Sequence, residues 1–152
     1  VPSEGVTARS AELARPLVPS EGVTARSAEL ARPLVPGEGV TARREDGAFL
    51  GWCTLNSWNP DFRSASLGYC LGRPAWGQGY ATEAVGALLG WAFDALDLNR
   101  VQAEADTRNP ASARVLEKLG FRLEGTLRED CVVNGDVSDS WVFGLLRRER
   151  RP

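Results

Sequence analysis

The chain has 152 residues, 43% hydrophobic and 25% charged, which suits one soluble globular domain with a single core. A net charge of −2 advertises neither nucleic acid nor an anionic membrane as a partner. Histidine is absent, which excludes imidazole bases, histidine triads and histidine metal ligands.

The opening residues V-P-S-E-G-V-T-A-R-S lack the basic-then-apolar layout of a secretory signal. No apolar run approaches the roughly 20 residues of a membrane helix, so a cytoplasmic location is the expectation. Cys53, Cys70 and Cys131 are odd in number and widely spaced, and they read as buried thiols. Val1 to Leu17 recurs letter for letter as Val18 to Leu34, and a third copy starts at Val35 and departs at Arg44. Each full copy admits a short helix, Thr7 to Ala14 and Thr24 to Ala31, stopped by Pro16 and Pro33. The repeat divides the chain into a duplicated segment, 1–34, and a domain, 35–152.

Val40 to Glu45 and Ala48 to Asn56 read as strands joined by the turn pair Asp46-Gly47. Ser57 to Phe62, with Asn59-Pro60, reads as a loop, and Ser64 to Leu71 as a third strand. Next, Ala81, Ala84, Val85, Leu88, Leu89, Ala92, Phe93 and Leu96 fall on one face of a long helix. Arg100 to Ala105 is a strand. Asn109 caps a second helix, Pro110 to Leu119, with Pro110 at its first position and Gly120 at its stop. Phe121 to Leu127 and Cys131 to Val133 are strand candidates, and Asn134-Gly135 turns the chain into a last strand, Asp136 to Leu146. The fold class is α/β (α+β): a single domain with a mixed, mainly antiparallel sheet and helices on one face or both.

Between the third strand and the first helix stands R-P-A-W-G-Q-G-Y-A-T-E-A. Gly77 and Gly79 remove side chains just before a helix N-terminus, whose N–H groups lack internal partners and carry partial positive charge. That combination suits an anion, and it equally suits a plain strand-to-helix turn. A lysine followed by Ser or Thr after the last glycine is missing, as is a third glycine at Thr82, so neither of two common phosphate fingerprints fits.

The ordered series L-G-Y-C-L-G-R-P-A-W-G-Q-G-Y-A-T-E-A-V, L-N-R-V-Q-A-E-A and N-P-A-S-A-R-V-L-E-K-L-G-F-R-L-E-G resembles the GNAT acetyltransferase superfamily. It is most similar to the branch that acetylates the amino termini of ribosomal proteins, over residues 47–149. The resemblance implies acetyl-CoA as cofactor, its pyrophosphate meeting the backbone amides of Trp76, Gly77, Gln78, Gly79, Tyr80 and Ala81. Pro74 stands where the family often has glutamine or arginine, and Arg73 is the neighbouring cation that would supply charge.

By the same resemblance the pantetheine arm lies along the backbone of Tyr69, Cys70 and Leu71, with an N–H near Leu71 polarising the thioester carbonyl. The Cys70 side chain itself reads as core. Asn109 resembles the family asparagine that bonds the arm, a role compatible with capping. Ser112 resembles the serine beside the CoA sulfur. Leu116 stands where many members have a tyrosine acid, so Ser112 is the catalytic candidate to protonate the leaving thiolate.

The implied reaction moves an acetyl group to a primary amine, first of all a protein or peptide N-terminal amine. Polyamines, amino sugars and antibiotics are alternative acceptors. A non-catalytic CoA-binding module and a purely structural domain are the rival classes. Without histidine, a carboxylate acting through water is the available base, and Asp106, Glu104 and Asp139 stay unranked. The amine acceptor is the expected partner, with no nucleic acid, membrane or metal; the family is often dimeric. The family normally opens with a strand and two helices that wall the acceptor site, and the repeat stands in their place.

Overall fold

The computed structural model describes residues 22–24, 28–31, 38–43, 46, 48–72, 75–133 and 135–150. The readings placed on Arg73, on Gly47 and Asn134 of the two turns, and on a helix at 7–14 lie outside these residues. Ten elements carry the fold: β1 (Gly22–Thr24), β2 (Ala28–Ala31), β3 (Glu38–Arg43), β4 (Phe49–Asn59), β5 (Ser64–Leu71), α1 (Tyr80–Ala95), β6 (Arg100–Asp106), α2 (Pro110–Lys118), β7 (Arg122–Val133) and β8 (Asp136–Leu146). A 3-10 turn, Arg147–Glu149, follows. One eight-stranded sheet runs β1-β2-β3-β4-β5-β6-β8-β7. Every neighbouring pair is antiparallel except β5 and β6.

The two crossovers advance the same way, from β5 to β6 and from β6 past β8 to β7. Right-handed connections therefore lay both helices on one face. α1 and α2 touch. A Cβ on Gly86 of α1 would lie 3.3 Å from Leu119 at the end of α2. The predicted apolar face of α1 is buried from Ala81 to Phe93, and Leu96 packs against it as a partly buried cap. Strand alternation supplies the other half of the core: Leu67, Tyr69, Leu71, Val101, Ala103, Ala105, Phe143 and Leu145 are nearly inaccessible. Each large side chain there contributes about 1.5–3 kcal/mol by leaving water.

Three local readings change. Of the residues read as a helix from Thr24 to Ala31, the described ones lie in strands: Thr24 ends β1 and Ala28–Ala31 forms β2. Ala28–Ala31 pairs with β3 on one side and β1 on the other, and sheet hydrogen bonding overrides the weak helical preference of so short a segment. β4 runs on through Asn59, with an irregularity between Asn56 and Asn59 and Ser57 at φ 51. The turn proper is Pro60–Arg63, where the Phe62 N–H donates to Asn59 Oδ1 at 3.0 Å. β7 is one strand rather than two, bulged between Leu127 and Cys131. Glu129 lies there at φ 53 and donates its N–H to Asp139 Oδ1 at 2.7 Å.

The cysteines also differ from expectation. None of the three is in a disulfide, but only Cys53 is buried, whereas Cys70 and Cys131 are half-buried. Cys70 alternates with the buried Tyr69 and Leu71, so it points to the sheet face away from the helices. Among the described residues, no helix is long and apolar enough to cross a membrane.

Candidate functional site

The site begins where two strands part. β5 and β6 pair in parallel from Ser64↔Arg100 to Leu67↔Ala103 and no further. On its other side β5 stays paired with β4 to Gly51↔Leu71, while β6 stays paired with β8 to Asp106↔Ser140. Beyond Leu67 and Ala103 each strand therefore keeps its outer neighbour and loses its inner one. The split opens at the carboxyl ends of parallel strands, where open α/β sheets receive ligands.

One hydrogen bond fixes which backbone groups line it. The Gly72 N–H donates to the Leu50 carbonyl at 2.8 Å, which makes Leu71↔Gly51 a non-hydrogen-bonded pair. Leu71 and Tyr69 consequently direct their N–H and C=O groups away from β4, towards the split. Cys70 has the opposite phase: its backbone groups bond β4, and so it leaves the set of residues that can meet a ligand through the backbone.

Two helices begin beside the split, and they begin differently. α1 starts from Gly79, at φ 80 and ψ 3, with no side-chain cap. Gly77 is also left-handed, at φ 71. A Cβ built on either glycine would meet nothing within 4 Å. The two glycines thus face open space at an uncapped helix start, a place where backbone N–H groups attract an anion. Gln78 is exposed, and Trp76 and Tyr80 are half-buried at the rim. Trp76 donates its indole Nε1–H to the Leu71 carbonyl at 2.8 Å.

α2 is capped internally: the Ser112 N–H donates to Asn109 Oδ1 at 3.3 Å, and Pro110 occupies the first turn. The Tyr69 hydroxyl crosses from β5 to donate to the Ser112 carbonyl at 3.3 Å. Ser112 is 0% exposed, and its Oγ has no hydrogen-bond partner among the described residues. Buried hydroxyls normally have one.

The three carboxylates have distinct surroundings. Asp106 is 3% exposed; its Oδ1 accepts from Ser138 Oγ at 2.7 Å and the Arg108 N–H at 2.8 Å, and its Oδ2 from Arg108 Nη2 at 3.1 Å. Burial alone would raise its pKa, but the Arg108 and Ser138 bonds outweigh it and hold the carboxyl below its ordinary value. Arg108 in turn reaches the Val133 carbonyl and Asp136 on the β7–β8 hairpin. Asp139 holds the β7 bulge through Glu129. Glu104 stands first beyond the last β5–β6 pair, half-buried, with a long 3.4 Å hydrogen bond from Gln102.

Tyr69, Leu71, Trp76, Gly77, Gln78, Gly79, Tyr80, Ala81, Asn109 and Ser112 thus gather around the split. The sequence reading did not contain the indole bond of Trp76, the Tyr69–Ser112 link or the Asp106–Arg108–Ser138 cluster. Only the last carries a local signal, an arginine two residues beyond an aspartate at a strand end.

Comparison with known proteins agrees with this geometry. The model of the acetyltransferase (GNAT) domain matches residues 20–122. The chain is 38% identical to an uncharacterized N-acetyltransferase, p20, of Bacillus licheniformis, over 70% of this chain and 60% of that one. It is 29% identical to a spermidine N(1)-acetyltransferase of Vibrio cholerae, over 51% of this chain and 44% of the relative. The crystal structure of a probable acetyltransferase superposes with TM-score 0.71 at 34% identity, over 76% of this chain and 64% of that chain. A ribosomal-protein alanine acetyltransferase of Vibrio fischeri superposes with TM-score 0.69 at 25% identity, over 83% and 65%. The chain spans about half to three fifths of the length of these curated relatives. Fold order, split strands and family model agree, and the chain belongs to the GNAT acetyltransferase family.

Proposed function

We propose that this chain holds acetyl-CoA across the split between β5 and β6 and transfers its acetyl group to a primary amine. A protein or peptide N-terminal amine is the first acceptor to test. The observation that carries this reading is a convergence at one sheet end: two parallel strands that part, an uncapped glycine-led helix start and a buried hydroxyl without a hydrogen-bond partner among the described residues.

The N–H groups of Gly77 to Ala81 would hold the pyrophosphate, and Tyr69 and Leu71 would line the pantetheine arm. Asn109 caps α2 through its side-chain oxygen, and the same side chain would bond the arm. When bound, acetyl-CoA supplies an acetyl group activated as a thioester. The Leu71 N–H is aimed at the split as a donor for a carbonyl oxygen. Ser112 Oγ, buried and with no hydrogen-bond partner among the described residues, would give its proton to the leaving thiolate.

The acceptor must arrive as a neutral amine. Asp106 is engaged by Arg108 and Ser138, and Asp139 by the β7 bulge; Glu104 is the carboxylate that remains beside the split. We infer that Glu104, directly or through water, takes the ammonium proton. The ribosomal-protein relative favours a peptide N-terminus, and the spermidine relative makes a polyamine the second acceptor.

A calorimetric titration with CoA, followed by a thiol-release assay on peptide amines and spermidine, tests the reading. Saturable binding and turnover on a peptide amine are expected. Absence of saturable CoA binding overturns it, and binding without turnover on any amine replaces it with a non-catalytic CoA module.

A further inference from the structure

The indole of Trp76 does something that the donor reading leaves unexplained. Leu71 is 1% exposed, and its carbonyl points towards the split, where no strand is present to bond it. A buried carbonyl in that state needs a partner from elsewhere. Trp76 Nε1–H provides it at 2.8 Å, five residues further along the chain. Trp76 directly precedes Gly77, the first left-handed residue of the open glycine turn. The bond therefore pins the start of that turn to the last residue of the strand edge.

We propose that Trp76 is a positioning residue that sets the separation between the two halves of the donor site. One half is the strand edge at Tyr69 and Leu71; the other is the glycine turn at Gly77 to Ala81. A ligand that occupies both gains from their being held in register, because the second contact is then made without a further ordering cost. A ligand that occupies the glycine turn alone gains nothing from the register. This proposal rests on the donor reading above and adds to it a division of labour between backbone and indole.

The test is the Trp76→Phe variant, which keeps an aromatic ring and removes the N–H. Two ligands are titrated: whole CoA, and the nucleotide half of CoA without its pantetheine arm. Loss of one well-placed hydrogen bond predicts about tenfold weaker CoA binding. The nucleotide half should lose less than about twofold, and in turnover the loss should fall on the donor KM more than on kcat. Trp58→Phe, on the exposed part of β4, serves as control and should leave both affinities unchanged.

A second measurement needs no substitution. In the unaltered protein the Trp76 indole proton should exchange with solvent more slowly than that of Trp58. Equal weakening of both ligands, weakening of neither, or fast exchange of the Trp76 proton overturns the positioning role while leaving the donor reading intact. Failure of the unaltered protein to bind CoA overturns the donor reading and the positioning role together.

Discussion

The two ends of the β5–β6 pair are built on opposite plans. At the amino end a set of arginine bonds ties the strands to the neighbouring loops. The Arg63 carbonyl accepts from the N–H groups of Asn99 and Arg100, and the Arg63 side chain bonds the Asp97 carbonyl and carboxylate. Arg147 adds bonds to Asp97 Oδ1 and to the Phe93 carbonyl near the end of α1, each at 2.8 Å. At the carboxyl end the strands part, the glycine turn faces open space and Ser112 Oγ has no partner. The same parallel pair is thus tied shut at one end and left open at the other. The open end is the one to which the proposed donor site is assigned.

Substitutions at the two ends should separate function from stability. The largest effect is expected for Gly79→Val. A Cβ at this position meets nothing within 4 Å, so the folding penalty arises chiefly from the left-handed φ, about 1–2 kcal/mol. The side chain would fill the space assigned to the pyrophosphate, and CoA affinity should fall by about 100-fold. An unchanged dissociation constant in calorimetry would contradict the cradle.

Ser112→Ala should lower turnover by about 100-fold, with CoA affinity changed less than about twofold. Because Oγ has no partner to lose, the melting temperature should stay level or rise. A marked drop in melting temperature would show that the hydroxyl is structural after all.

Arg147→Ala at the closed end should do the reverse. It removes the bonds to Phe93 and Asp97 and should cost about 1–2 kcal/mol in urea unfolding, leaving CoA affinity intact. Equal damage to binding would mean that the two ends are not separable.

The smallest effect concerns acid. Asp106 has a lower pKa folded than unfolded, so its charged form contributes stability above the ordinary value of about 3.9. That contribution is lost as pH falls through the folded value. Asp106→Asn should therefore flatten the fall of melting temperature below about pH 4, and parallel curves for the two proteins would refute the assignment.

Some of this was legible in the sequence and some was not, for physical reasons. The buried face of α1 could be read because 3.6-residue spacing of seven apolar side chains is a local property. β5 and β8 kept their predicted bounds because turn residues flank them. The strands Gly22–Thr24 and Ala28–Ala31 were not legible, since β2 pairs with a β3 edge that lies later in the chain and β1 pairs with β2. The β7 bulge depends on Asp139 reaching Glu129 across the hairpin, which no pattern in β7 announces. The family series pointed to Ser112, but its missing partner is a property of the packed chain. The split is an absence of pairing, and no residue pattern writes an absence.

The central claim is that the carboxyl end of β5 and β6 is the donor site and the amino end is not. An amide-resolved NMR titration of the protein with CoA tests it most directly. Saturable shifts are predicted at Tyr69, Leu71, Gly77, Gly79, Tyr80, Ala81 and Ser112, with Arg63, Asn99 and Arg147 unmoved. Shifts centred on Arg63, Asn99 and Arg147, or no saturable shift anywhere, would contradict the account.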